Sequence, residues 1–314
     1  MTGDEAIALI EAATDPRGLF ARDPGHEYRR LARLTHPDVS RGGARAAAAF
    51  AKLSALWQRY RAERLPARLA FSGDIANLYE HDHGLLKIAR HPADNDLLDR
   101  EAAALARLRS ADDKRLLAYA PALIGCQRHQ DPDTGAERRA NLISRLDGFV
   151  TLADVHAAYS RGLDPRDAAW MWRRLLVAVG FAHRTGVIHA AVVPEHVLIH
   201  PAEHGLVLVD WCYAITQPGG VAVALPAAYA DWYPAEVRSR QAPGLDLDIW
   251  LATRCMTHLM GGLAPPRLTR FAHGCMLPGP GRRPSDAWQL LRELDAVLER
   301  LYGPRTFRPF TMPA

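Results

Sequence analysis

Three lysines, Lys52, Lys87 and Lys114, stand among 39 basic residues that are otherwise arginine. A lysine at a place where arginine would serve equally well is therefore unexpected. The compact ammonium of lysine is a point-charge phosphate ligand that the bulkier guanidinium fork does not directly replace. His189, Glu195 and His196 lie close together in the run GVIHAAVVPEHVLI, and a histidine in such a run can titrate near neutral pH. A lone His189 is more often a satisfied core histidine than a catalyst, so position alone assigns it nothing. Cys126, Cys212, Cys255 and Cys275 are scattered without a CxxC pair. They read as reduced thiols, not as a disulfide frame or a zinc site. No segment has the glycine spacing of a Walker loop, which sets aside the P-loop class.

The elements that must position these residues fall into two kinds. Residues 1–63 are helical in pattern. Phe50, Leu53, Trp57 and Tyr60 recur at spacings of three and four over 45–62, one face of a helix, and 26–35 forms a shorter run. Leu65-Pro66 marks a boundary, because the residue before proline leaves the helical region. Ile75–Glu80 and Leu85–Ala89 then read as a hairpin, Leu97–Leu108 as a helix, and Leu123–Gln127 with Asn141–Leu146 as a second hairpin around a polar loop at 131–135. Helices dominate the remainder. Asp164-Pro165 opens one, with Trp172, Leu175, Leu176 and Val179 on its inner face. Val197–Ile199 and Leu206–Val209 are short strands, and 246–260 and 286–302 are helices, the last capped by Ser285 and ended by Gly303.

A net charge of +4 carried by dispersed arginine, with no basic run interleaved with aromatics, argues against nucleic acid as a partner. No stretch approaches the roughly 18 apolar residues of a membrane span. The N-terminus carries Asp4 and Glu5 where a signal peptide would be basic, so a cytoplasmic location is expected.

In order along the chain, Leu85-Leu86-Lys87, Glu101, His189 with Pro194 and Glu195, Asp210 in Asp-Trp-Cys, Tyr233-Pro234-Ala235-Glu236, Asp248-Ile249-Trp250 and Arg283-Pro284-Ser285 resemble the signatures of a protein kinase domain. Residues 67–303 carry the resemblance. It implies an α+β, two-lobed protein-kinase-like fold, with a small β-rich N-lobe over 66–147 and a large helical C-lobe over 148–303. A tail over 304–314 would follow. It implies ATP or ADP, bound weakly with Mg²⁺. Lys87 would hold phosphate oxygens, Glu101 would orient Lys87, and Asp210 would bind the metal. Gly73, Ile143 and Ser144 would complete the nucleotide contacts. Asp248 would prop the catalytic loop, and Arg283 would bridge to Glu236.

The departures are as informative. Ala191 stands where the family has the aspartate that accepts the acceptor hydroxyl's proton, Val193 where it has a phosphate-contacting lysine, and His196 where it has a metal-binding asparagine. Losing a general base alone costs about 10²–10⁴ in rate. The glycine-rich loop survives only as Gly73. His196 as a substitute base would point toward the metal side, so Glu195 and His196 are expected to cap or pack the loop.

Tyr28-Arg29-Arg30-Leu31-Ala32-Arg33-Leu34-Thr35-His36-Pro37-Asp38 resembles the second helix and loop of a J domain, the chaperone module that stimulates Hsp70. The resemblance implies an N-terminal J-like helical hairpin domain over 1–65. His36, Pro37 and Asp38 would engage an Hsp70-type partner, and Arg29, Arg30 and Arg33 would form its basic face. A helical docking unit is an equal expectation for the same residues. Taken together, the residues imply a nucleotide-binding pseudokinase fused to a J-like module, acting as adaptor or scaffold for a protein partner. An atypical serine/threonine kinase and a J-domain co-chaperone are the alternatives.

Overall fold

Helix α1 spans Gly3–Ala12 and opens on a reciprocal cap. The Glu5 amide donates to Thr2 Oγ1 at 3.3 Å, and the Thr2 amide donates to the Glu5 carboxylate at 2.7 Å. Helices α2 (Pro16–Leu19) and α3 (Pro24–Thr35) each begin with an aspartate cap followed by proline, where the missing N–H costs nothing. Helix α4 spans Gly43–Arg64. The computed structural model describes residues 1–20, 23–36, 43–64, 68–131 and 134–313.

The four helices bury one apolar core. Ala6, Ile7 and Ile10 of α1, Leu19, Phe20 and Leu31 meet Leu53, Leu56, Trp57 and Tyr60 of α4. Phe20 packs edge-on against Trp57 at 5.0 Å, and Tyr28 stacks on the same indole at 4.8 Å. The heptad-like face read from the sequence lies inward from Leu53 onward, whereas Phe50 is half-buried, edge-on to His36. Lys52 donates to the Glu11 carbonyl at 2.7 Å and Arg59 to the Thr14 carbonyl at 2.7 Å, answering acceptors at the end of α1. Leu65-Pro66, the expected boundary, lies outside the described residues.

Strands β1 (Leu69–Ser72), β2 (Ala76–His81), β3 (Gly84–Ala89), β4 (Leu123–Gln130) and β5 (Glu137–Ile143) form a sheet in the order β1-β2-β3-β5-β4. β1 and β2 pair antiparallel, as do β2 and β3, in the register Leu78↔Lys87. The second hairpin is longer toward its loop than the sequence pattern gave, and β5 ends at Ile143. Asp131 holds its turn by accepting from the Thr134 amide at 2.9 Å and pairing with Arg138; Pro132 and Asp133 lie outside the described residues.

The chain divides into two compact units: 1–95 with 126–142, and 96–125 with 143–314. The second unit holds α5 (Asn95–Arg109, from its second residue), α6 (Leu152–Ala158), α7 (Pro165–Arg184), α8 (Ala235–Arg238), α9 (Asp246–Met260), α10 (Pro266–Cys275) and α11 (Ala287–Tyr302). A small sheet of β6 (Val150–Thr151), β7 (Val197–His200) and β8 (Gly205–Leu208) lies in the same unit. Asp164 caps α7, and Trp172, Leu175, Leu176 and Val179 are buried where α7 packs on α9 and α11. Ser285 is not the cap of α11: Asp286 accepts from the Trp288 and Gln289 amides, a carboxylate being the better acceptor at that helix end. The C-terminal segment folds onto this unit. Arg308 pairs with Asp164 and Asp167, Phe310 is buried, and Tyr159 donates to the Thr311 carbonyl at 2.9 Å.

A mixed α+β chain with an antiparallel sheet followed by helices is compatible with a kinase-like fold. Among the described residues no helix is long and apolar enough to cross a membrane.

Candidate functional site

Asp248, in the first turn of α9, is fully buried and holds the segment 189–190 by its backbone. Its Oδ2 accepts from the His189 amide at 2.8 Å and from His183 Nε2 at 3.0 Å; its Oδ1 accepts from the Ala190 amide at 2.8 Å. Burial alone would raise this carboxyl. The donors outweigh it, His183 first, and hold it below the ordinary aspartate range. Ala190 is left-handed, with φ +62°, a costly backbone for a residue with a Cβ. It is fixed from both ends, because Tyr233 donates its hydroxyl to the Ala190 carbonyl at 2.8 Å. Burial pushes the Tyr233 phenol well up, so it stays a donor.

His189 lies inside this bracket with no exposure. Its Nδ1 faces the Ala191 amide at 3.3 Å and its Nε2 faces the Val209 carbonyl at 3.0 Å, which fixes the tautomer with the proton on Nε2. Desolvation pushes its pKa down to about 4, so it is neutral. Beyond it, Ala191 and Val193 are buried at 0% and 1%. The loop is thus rigidly built while the two positions that would carry a base and a cation are apolar and closed to solvent.

Glu195 is exposed and accepts from the Tyr229 hydroxyl at 2.8 Å. His196 is buried, its Nδ1 2.9 Å from the Ala191 carbonyl and its Nε2 3.3 Å from Asp210 Oδ2. Asp210 is left-handed, with φ +63°, ahead of a short turn at Trp211–Tyr213. Ligand atoms of Glu101, Asp210 and Cys212 lie within 4.8 Å of one another. Arg283, over the Trp250 ring, pairs with Glu236 and with Asp246 at 2.7 Å.

In the first unit, Lys87 on β3 is buried. Gly73 closes a tight turn between β1 and β2. Its amide donates to the Ala76 carbonyl at 3.0 Å, its carbonyl accepts from Arg90 at 2.9 Å, and a Cβ there would lie 2.9 Å from Ala76 O. The Ile75 amide donates to the Asp74 carboxylate at 2.9 Å. Amides so engaged are turned inward, not offered to a phosphate. In the second unit, Ser144 and Ala122 exchange two hydrogen bonds of 2.9 Å, which use the Ser144 amide and hydroxyl; Ile143 is buried. Of the N-terminal residues, Arg29 and Arg33 are exposed, Arg30 pairs with Glu27, and His36 ends α3. Pro37 and Asp38 lie outside the described residues.

A bracket of aspartate, histidine and tyrosine around a loop, in a mixed α+β chain, is compatible with a kinase-like protein. The family model for the Lipopolysaccharide kinase (Kdo/WaaP) family matches residues 81–212, a stretch that runs from the end of β2 to Cys212. No curated protein matches the chain.

Kinase-like families use ATP and Mg²⁺ generally, and the donors around Asp210 can be tested against that metal. Mg²⁺ demands a near-octahedral set of oxygens and keeps several waters. The neighbours of Asp210 include an imidazole nitrogen and a thiol sulfur, softer donors than Mg²⁺ takes. The set does not fit Mg²⁺. His183 escaped the sequence reading; it braces the loop, and the signal for it was its nearness in sequence to His189. Cys212 and Tyr233 entered only as members of the Asp-Trp-Cys and Tyr-Pro-Ala-Glu signatures, without a role of their own.

Proposed function

We propose that this chain is a nucleotide-binding pseudokinase, with its N-terminal helices acting as a J-like adaptor for a protein partner. The observation that carries the reading is the contrast at the loop. Asp248, His183 and Tyr233 hold residues 189–190 as a catalytic loop would be held, yet Ala191 and Val193 are buried and apolar. Such a loop keeps a shape and lacks a base. His196 offers no replacement, because both ring nitrogens are directed at the Ala191 carbonyl and Asp210. The match to a kinase family supports the nucleotide part. Lys87 supports it further, as a lysine in an arginine-rich chain that lies buried in strand β3.

Two measurements on the full chain test this. ATP or ADP at millimolar concentration should raise the melting temperature, because a ligand that binds only the native state adds RT ln(1 + [L]/Kd) to stability. Lys87→Ala should lose the shift. Transfer from labelled ATP to the chain itself, to generic protein substrates or to lipopolysaccharide should stay at background. Transfer that Asp210→Ala abolishes would select the atypical serine/threonine kinase instead. No shift and no calorimetric binding would end the nucleotide reading.

A further inference from the structure

Arg107 lies near the end of α5 and is exposed, yet its guanidinium is committed to two main-chain carbonyls far apart in sequence. Its Nε donates to the Thr185 carbonyl at 2.7 Å, and its Nη1 donates to the Thr216 carbonyl at 2.7 Å. Thr185 ends α7, where a helix leaves carbonyls unpaired and its dipole favours a cation. Thr216 lies beyond Asp210 and the turn Trp211–Tyr213. One side chain therefore joins three segments of the same unit: α5, the end of α7 and the stretch that follows Asp210.

Gly186 is an independent sign that this guanidinium has a built seat. Its φ is +72°, and a Cβ there would lie 2.8 Å from Arg107 Nη2. The turn after α7 leaves the room of a missing side chain, and Arg107 fills it. The stretch that Arg107 reaches is tied down up to that point. Ile215 and Ile188 exchange amide-to-carbonyl bonds of 2.8 and 3.0 Å. The Trp211 indole donates to the Leu208 carbonyl at 2.9 Å, and Trp211, Cys212 and Tyr213 are all buried. Thr216 is where this bonded stretch gives way to an exposed run that begins at Gln217. A planar fork suits the junction, because two of its N–H groups serve separate carbonyls at once.

We propose that Arg107 is a clasp that fixes α5, the end of α7 and the stretch 211–216 as one body, so that the segment after Asp210 does not swing relative to α5. A segment takes a second arrangement only where the contacts that hold it are few enough to break together. Here the bridge lies within the chain and needs no ligand to form. The proposal stands on residues 107, 185, 186 and 216, and it holds or fails independently of nucleotide binding.

The test is hydrogen–deuterium exchange of the full chain without ligand, read by mass spectrometry on peptides covering 184–190 and 211–217. Both should exchange slowly in wild type. Arg107→Ala should speed both by about tenfold or more, the opening that loss of the bridge permits. Arg109→Ala should leave both unchanged, because that arginine, on the same helix, reaches only the Leu123 carbonyl at 3.5 Å. Arg107→Lys should open the same peptides, since one ammonium does not span both carbonyls; it is the second variant should Arg107→Ala fail to fold by circular dichroism. Gly186→Ala should speed exchange at 211–217 in the wild-type background and add nothing there in Arg107→Ala, because the clash needs the guanidinium. Exchange at 211–217 that is unchanged in Arg107→Ala overturns the proposal. So does an equal change in Arg109→Ala, or an effect of Gly186→Ala that persists without Arg107.

Discussion

His189 is a neutral imidazole held where no water reaches it. Asp248, His196, Asp210 and Trp211 face it, and the Val209 carbonyl takes its one proton. Its folded pKa is about 4, depressed by burial from the ordinary 6.5. The unfolded chain therefore binds the proton first as pH falls. The stability His189 contributes is complete above about pH 6.5 and is lost progressively down to about pH 4. At roughly 1.4 kcal/mol per pH unit, that is about 3 kcal/mol in all. Urea unfolding at pH 7 and pH 5 should show a loss of about 2 kcal/mol that is absent in His189→Gln; equal losses in both would show that burial of His189 is not what drives it. Apart from His183, the residues of this site were individually visible in the sequence, because type and order survive without geometry. Their grouping was not. Glu101 and Cys212 are brought together by folding across more than a hundred residues, and no local pattern encodes a 4.8 Å approach. Lysine scarcity was a signal of mixed worth. It singled out Lys87, but Lys52 and Lys114 turn out to donate to carbonyls at and just beyond helix ends.

At the scale of elements, the long amphipathic segments were legible and the short ones were not. Helices α7 and α9 follow the pattern of their apolar residues, and α7 starts at the Asp164-Pro165 signal. Helices α1, α6 and α10 span 10, 7 and 10 residues, too few turns for a periodicity to stand out. Their caps were the better clue, since Thr2 with Glu5 and Thr151 with Asp154 are reciprocal boxes readable from spacing alone. The join between α6 and α7 depends on Gly162. Its φ is +107°, and a Cβ there would lie 2.5 Å from the Met260 carbonyl oxygen at the end of α9. Next to it the Leu163 amide donates to the Leu259 carbonyl at 2.7 Å, so the backbones cannot part without losing that bond. Gly162→Ala should destabilise the chain by at least about 2 kcal/mol, combining backbone strain and overpacking. Gly274, inside α10, has open space where a Cβ would go. Gly274→Ala should instead stabilise by up to about 1 kcal/mol through helix propensity. Denaturant midpoints measured side by side check both; a loss of the same size at the two positions would show that the close approach at Gly162 has no role.

At the scale of the whole molecule, helices with their own aromatic core precede a mixed α+β body, and the adaptor reading requires those helices to present something. Helix α3 presents Arg29 and Arg33 outward, while Arg30 is drawn to Glu27 on its own helix. The basic face therefore consists of the exposed Arg29 and Arg33 beside the half-buried Arg30. His36 closes α3 and packs its ring edge-on to Phe50 at 5.3 Å, which anchors the start of the His-Pro-Asp segment to α4. Thr35 is fully buried and donates its hydroxyl to the Leu31 carbonyl at 2.9 Å, so its polar atom is satisfied within the helix itself. An Hsp70-type partner drawn by such a face should be drawn electrostatically. Binding should weaken as salt shortens the Debye length, about 10 Å at 0.1 M. The measurement is the ATPase rate of a cognate Hsp70 with the full chain, with His36→Gln and with Arg29→Ala/Arg33→Ala. The expected outcome is stimulation by wild type that falls with salt, is lost in His36→Gln and is reduced in the double variant. Stimulation that survives His36→Gln, or none from wild type, would leave 1–64 as a docking unit for another part of the same assembly, with its arginines serving solubility and not recognition.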